Sequence, residues 1–204
     1  RINPHDGPLA AEDLEALLPA PPELLMIPKL RSAEQLREFA ARLDALEAKH
    51  GHARGRIGVL PLATETPEGL LQIEAIAAAP RVVAITWGAE DLAAAIGARA
   101  NRGPDGSYLE LFRHARWMTL LAARAAGVQA IDGVYVEYKN DAGLRSESEE
   151  AAGLGFDGKL TIHPAQIDLV NAAFTPAAEA VLRARRLLAA FEAEARAGCA
   201  VFSF

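Results

Sequence analysis

Short apolar runs alternate along this chain with longer stretches whose apolar residues recur every three or four positions, the pattern of buried strands and amphipathic helices. Leu24-Leu25-Met26-Ile27-Pro28-Lys29 reads as a strand. Ser32 opens a helix with Gln35 three residues on, a capping-box spacing. Leu36, Phe39, Ala40, Leu43 and Leu46 form its apolar stripe, and Gly51 is its stop. Residues 57–65 make the next strand, and Thr66 caps a helix that has Pro67 at its first position. Residues 82–88 form another strand, followed by a short helix from Leu92 and a polar loop over 99–106. Ser107 and Glu110 have capping-box spacing ahead of a long helix through Ala126, closed by Gly127. Strands over 130–136 and 160–163 flank a helix predicted at 146–154, and further helices start near Pro164 and Pro176.

Counting a strand that ends at Asn3, six strands end at Asn3, Lys29, Glu65, Gly88, Val136 and His163. Strand and helix alternate with only short links, which demands a parallel sheet with right-handed crossovers. A complete (β/α)8 barrel takes about 250 residues, against 204 here. An open doubly wound sheet is the competing architecture, but no Gly-rich phosphate loop follows a first strand. The expected fold is α/β, a TIM barrel without its first two strands, forming a single partial domain over residues 1–204. The chain opens on Arg1 rather than Met and closes on the apolar run Ala200-Val201-Phe202-Ser203-Phe204. A fragment of a longer protein is therefore expected.

Two carboxylates, Glu65 and Asp91, lie 26 residues apart, each at or just beyond the end of a predicted strand with a helix between them. This arrangement puts both on one rim of a parallel sheet, where α/β proteins keep their chemistry. Neighbouring strands are about 4.8 Å apart, so the pair can reach one hard divalent cation, Mg²⁺ or Mn²⁺. From spacing alone, an ordinary helix-start acid at Glu65 and a plain N-cap at Asp91 are equally good readings. Arg1 ends the first strand and projects toward the same rim, where a guanidinium can grip a carboxylate or a developing oxyanion. Lys29 ends the next strand and can meet a phosphate or carboxylate. The turn Gly88-Ala89-Glu90-Asp91 offers backbone N–H groups at a helix start. His163 reads as a packed strand-end histidine, Asp132 as bonded to neighbouring backbone, and Trp87 and Trp117 as core.

Charge and composition narrow the partners. Net charge is −6 with a pI near 5.4, and no Lys/Arg stripe forms, which argues against nucleic acid. The single Cys199 excludes an internal disulfide framework and fits a reducing compartment. No apolar stretch approaches the roughly 20 residues that span a bilayer, so a cytoplasmic protein with no membrane partner is expected.

Taken in order, Glu65-Thr66-Pro67-Glu68-Gly69, Gly88-Ala89-Glu90-Asp91-Leu92, Ala130-Ile131-Asp132-Gly133-Val134-Tyr135 and the stretch 155–167, with Arg1-Ile2-Asn3 and Pro28-Lys29, are similar to the citrate lyase β-subunit-like family of CoA-ester lyases. Each motif alone is weak; the ordered set, spanning essentially the whole chain, is strong. The resemblance implies a (β/α)8 barrel that uses Mg²⁺ to cleave or form a carbon–carbon bond in an acyl-CoA thioester such as citryl-, malyl- or methylmalyl-CoA, with a 2-oxo acid as co-product. It implies Glu65 and Asp91 as metal ligands, Arg1 as the catalytic group facing the oxo-acid, and substrate contacts at Lys29, Ala89 and Glu90. It also implies a homo-trimer or hexamer. In several relatives an Asp in a C-terminal segment moves the proton, and no matching residue occurs before Phe204. Two other readings remain: a metal-dependent aldolase acting on free 4-hydroxy-2-oxo acids, and a non-catalytic barrel subunit.

Overall fold

The computed structural model describes residues 1–196, with side chains through residue 193. Five short strands follow in chain order: β1 (Leu24–Ile27), β2 (Gly58–Pro61), β3 (Ala84–Thr86), β4 (Gln129–Asp132) and β5 (Gly158–Lys159). β1 pairs with β2, and β3, β4 and β5 pair in sequence, all parallel. Parallel bridges Val59–Val82 and Leu62–Thr86 join the two groups. Among the described residues the spatial order is therefore the chain order, with no reversal of the kind a doubly wound sheet requires.

The helices are α1 (Ala10–Leu17), α2 (Ala33–Lys49), α3 (Pro67–Leu71), α4 (Ile73–Ala77), α5 (Ala89–Ile96), α6 (Glu110–Ala126), α7 (Asp141–Leu154), α8 (Ile167–Phe174) and α9 (Ala178–Arg196). α2 forms as its stripe predicts. The Ser32 side chain accepts from the Gln35 N–H, and Leu36, Phe39, Ala40 and Leu43 are buried. The main core lies between sheet and helices, where Ile27, Val59, Ile85 and Ala130 meet Phe39, Ile76, Ala122 and Ala123. Burial of that apolar surface is the main force holding helices to sheet.

Several boundaries differ from the sequence reading. Residues 1–3 form no strand, although the Ile2 N–H donates to Met26 O at 3.2 Å along the outer side of β1. β4 stops at Asp132 instead of Val136, and α7 begins at Asp141 instead of Ser146, because Asn140 caps it by accepting from the Gly143 N–H. The last strand is Gly158–Lys159, ahead of the expected 160–163, with only the Leu160 N–H continuing the ladder onto Asp132 O. The Ser107 cap does not form. Its hydroxyl donates instead to Asp105 at 2.7 Å, and α6 starts from Leu109 with no side-chain cap. The apolar run at 200–204 lies outside the described residues. Among the described residues, no helix is long and apolar enough to cross a membrane.

Candidate active site at the strand ends

Beyond the last ladder pairs, β2 and β3 are laced together. The Ala63 N–H donates to Thr86 O at 3.2 Å, and the Gly88 N–H donates to the Thr64 hydroxyl at 3.0 Å. This lacing sets Glu65 beside the first turn of α5, which carries Asp91. A Cβ at position 88 would lie 3.3 Å from Glu65 Cγ, close enough that Glu65 would have to shift by a few tenths of an ångström. Asp91 is the third residue of α5, and Gly88 holds the N-cap position, so the plain N-cap reading of Asp91 fails.

The two carboxylates influence each other's ionisation: Asp91 pushes Glu65 up, and Glu65 helps to hold Asp91 down. Two cations attend them: Arg1 Nη2 is 3.5 Å from Glu65 Oε1, and Lys29 Nζ is 3.1 Å from Asp91 Oδ1. Lys29 also donates its backbone N–H to Glu65 Oε2 at 2.7 Å. Burial pushes the Glu65 carboxyl up to about 7, against the pull of the Lys29 N–H and Arg1. Burial acts on Asp91 too, but the Lys29 ammonium and the neighbouring Glu65 carboxyl outweigh it and hold Asp91 below the usual carboxylate range. The pair thus divides into one acid that keeps a proton near neutrality and one that stays ionised.

The acids open onto a cavity of about 320 Å³. Arg1, Glu65 and residues 88–91 line one part, and apolar side chains that include Met26, Leu62, Trp87, Val134 and Leu160 line much of the rest. Of the predicted site residues, Arg1, Glu65, Ala89, Glu90 and Asp91 meet here, and Lys29 reaches Asp91 from beside the cavity. The Glu90 carboxylate itself accepts from Asn101 Nδ2 at 2.7 Å. No cluster of three or more His, Cys, Asp or Glu fit for a metal occurs among the described residues. Two carboxylates that compete for one proton form an all-oxygen donor set, leaving most coordination positions to water or substrate oxygens. That suits Mg²⁺ or Mn²⁺ and not the N/S preference of Zn²⁺.

Asp132 corrects the sequence reading. It does not bond neighbouring backbone with its side chain; it is the hub of a buried charge network behind the cavity. Its oxygens accept from Trp87 Nε1 at 2.7 Å, Arg116 Nε at 2.9 Å and Lys159 Nζ at 2.8 Å. Lys159 also meets Glu147 at 2.8 Å, and Glu147 takes Arg102 at 2.7 Å. Burial pushes Asp132 up, yet Lys159 and Arg116 hold it well below the usual range. The available signal was a charged residue inside an apolar run, which demands a partner. Trp87 is core as expected and forms part of the cavity wall, with Gly133 close beneath it, where a Cβ would meet Trp87 O at 3.0 Å. Trp117 is instead 37% exposed, with Arg113 over its ring. His163 is exposed; its Nδ1 caps the Ala165 N–H, and its ring stacks on Tyr138.

Comparison with known proteins follows the same lines. The model of the HpcH/HpaI aldolase/citrate lyase family matches residues 1–164. A citrate lyase subunit beta-like protein of Mycobacterium tuberculosis is 39% identical over 194 residues, covering 95% of this chain and 65% of that protein. A (3S)-malyl-CoA thioesterase of Cereibacter sphaeroides is 37% identical over 198 residues, covering 97% and 64%. This chain thus spans slightly less than two thirds of the length of these relatives. The crystal structure of the protein CitE of M. tuberculosis in complex with magnesium, acetoacetate and coenzyme A superposes with a TM-score of 0.78 at 38% identity, covering 100% of this chain and 69% of that one.

Proposed function

The chain belongs to the HpcH/HpaI aldolase/citrate lyase family, and from that premise we propose that it is the metal-binding part of a Mg²⁺-dependent carbon–carbon lyase. In this reading the parallel arc is part of a (β/α)8 barrel. The substrate is a 3-hydroxyacyl-CoA thioester of the citryl, malyl or methylmalyl type, split into a 2-oxo acid and an acyl-CoA. The observation that carries the proposal is the Glu65–Asp91 pair with Arg1 at one end of a half-apolar cavity. The solved relative bound to magnesium, acetoacetate and coenzyme A supports it.

Glu65 and Asp91 would hold the cation, which supplies Lewis-acid polarisation of the oxo-acid oxygen. The chain's own groups do the remaining work. Cleavage breaks the bond between the hydroxyl-bearing carbon and the thioester α-carbon. The hydroxyl gives up its proton and becomes the oxo group, while the α-carbon keeps the electron pair as a thioester enolate and then takes a proton. Arg1, whose guanidinium faces the cavity, stabilises negative charge on the oxygen as that proton leaves. The free N–H groups at the start of α5 orient the oxo-acid carboxylate. Met26, Leu62 and Val134 keep water from the enolate. Delivery of the proton is assigned to none of these residues. Assembly as a homo-trimer or hexamer is part of the same proposal, supported by exposed Trp117 and Leu121 on α6 and by exposed Leu182, Leu187 and Leu188 on α9.

The test is an assay of the full-length protein against a panel of acyl-CoA thioesters, with and without Mg²⁺. Release of a 2-oxo acid only when Mg²⁺ is present is the expected result. Thioester hydrolysis without carbon–carbon cleavage would overturn the lyase reading, and turnover confined to free 4-hydroxy-2-oxo acids would replace it with an aldolase.

A further inference from the structure

Lys29 touches both carboxylates of the site through two different groups. Its backbone N–H donates to Glu65 Oε2 at 2.7 Å, and its ammonium lies 3.1 Å from Asp91 Oδ1. To do so it adopts a φ of 56°, one of only two non-glycine residues with positive φ among the described residues. Such backbone strain in a lysine persists only where the surroundings enforce it. The contact on the backbone itself is the N–H bond to Glu65, which ties the end of β1 to the segment after β2.

The two ends of Lys29 differ in permanence. The N–H is fixed by the chain and points at a nearly buried oxygen. The ammonium sits on a flexible four-carbon stem, and the side chain is 48% exposed against a 39% exposed partner. An ammonium so placed is a hydrated point charge that can leave at little cost. A buried lysine–carboxylate site shows the contrast: the Lys159 side chain is fully buried and bonds two carboxylates.

We propose that the Lys29 ammonium is the displaceable counter-ion of the metal site. It occupies the cation position at Asp91 in the metal-free protein, and a divalent ion entering between Glu65 and Asp91 expels it. The N–H anchor on Glu65 keeps the released ammonium at the cavity rim, where it takes up an anionic group of the substrate. The inference rests on the metal-site reading above. It adds an order of binding, metal before oxo-acid, and couples the two events through one side chain.

The test uses Lys29→Met, which keeps the stem and the N–H and removes only the charge, in the full-length protein. Titration calorimetry with Mg²⁺ alone should show about tenfold tighter binding than wild type, because a competing charge beside the ion is gone. Pyruvate, used as the oxo-acid probe on the Mg²⁺-saturated variant, should bind at least about fivefold more weakly. Lys29→Arg should return both values toward wild type. Arg37→Met, which removes a remote surface charge paired with Glu34, should leave Mg²⁺ affinity within about twofold. Unchanged or weaker Mg²⁺ binding in Lys29→Met overturns the counter-ion role, and unchanged pyruvate affinity overturns the hand-over to substrate. Glu65→Gln separates the two levels: if it binds Mg²⁺ as wild type does, the metal-site reading itself fails, whatever Lys29→Met shows.

Discussion

The carboxylate centre at Asp132 and the one at Glu65 and Asp91 are built on opposite plans. At Asp132 every charge is matched. Arg116, Lys159 and the Trp87 N–H saturate its oxygens, and both Asp132 and the Lys159 side chain are 0% exposed. At Glu65 and Asp91 the acids face each other, their cations are about half exposed, and a cavity opens beside them. Buried ion pairs with full hydrogen bonding hold position, and removing one member leaves an uncompensated charge. Acids left near one another with replaceable partners are free to take up something else. The saturated centre is the scaffold and the incomplete one is the site, even though both use Asp, Glu, Lys and Arg.

The comparison breaks most sharply at Asp91. Asp91→Ala is expected to lower Mg²⁺-dependent turnover by about a thousandfold or more while leaving the melting temperature near wild type; full activity would mean that the metal sits elsewhere. Asp132→Asn is expected to do the reverse, costing about 3 kcal/mol of unfolding free energy in denaturant titration because Lys159 and Arg116 lose their counter-charge. A stable Asp132→Asn protein would show that the hub is not structural. Arg1→Ala should reduce turnover by about a hundredfold, as removing an oxyanion donor does, with a much smaller change in Mg²⁺ affinity. Equal loss of both would give Arg1 a structural role.

The smallest expected effect is the one that separates the centres by pH. Glu65, with its folded value raised to about 7 from 4.5, binds its proton more tightly in the folded chain. That contribution to stability is fully present below pH 4.5 and is lost as pH rises through 7. Mg²⁺ needs the ionised acid, so the rise in melting temperature on adding Mg²⁺ should be smallest near pH 5.5 and grow by a few degrees toward pH 8. Asp132, held low, adds no change across that window. A Mg²⁺-induced shift that is flat from pH 5.5 to 8 would count against Glu65 as a ligand.

Much of this was legible in the chain because it is local. The strand that starts at Leu24, expected through Lys29 and found to end at Ile27, the α2 stripe and the positions of Glu65 and Asp91 beyond strand ends all follow from the spacing of apolar residues. What escaped the sequence depended on distant partners or on close competition. Asp132 reads as a strand residue until Lys159, 27 positions on, and Arg116, 16 positions back, are seen to converge on it. Ser107 has the spacing of a cap, but Asp105, two residues away, takes its hydroxyl first. Asn140 extends α7 beyond its predicted start because a single side-chain cap suffices to begin a helix in a polar stretch with no apolar rhythm.

The position of Trp87 has an optical consequence. The chain has two tryptophans. Trp87 forms part of the cavity wall, its ring nitrogen committed to a buried carboxylate, while Trp117 is over a third exposed on an outer helix. Their fluorescence therefore separates into an inner component, shielded from aqueous quenchers and responsive to whatever enters beside Glu65, and an outer component that serves as reference. The protein carries its own indicator of an occupied site, with no label needed.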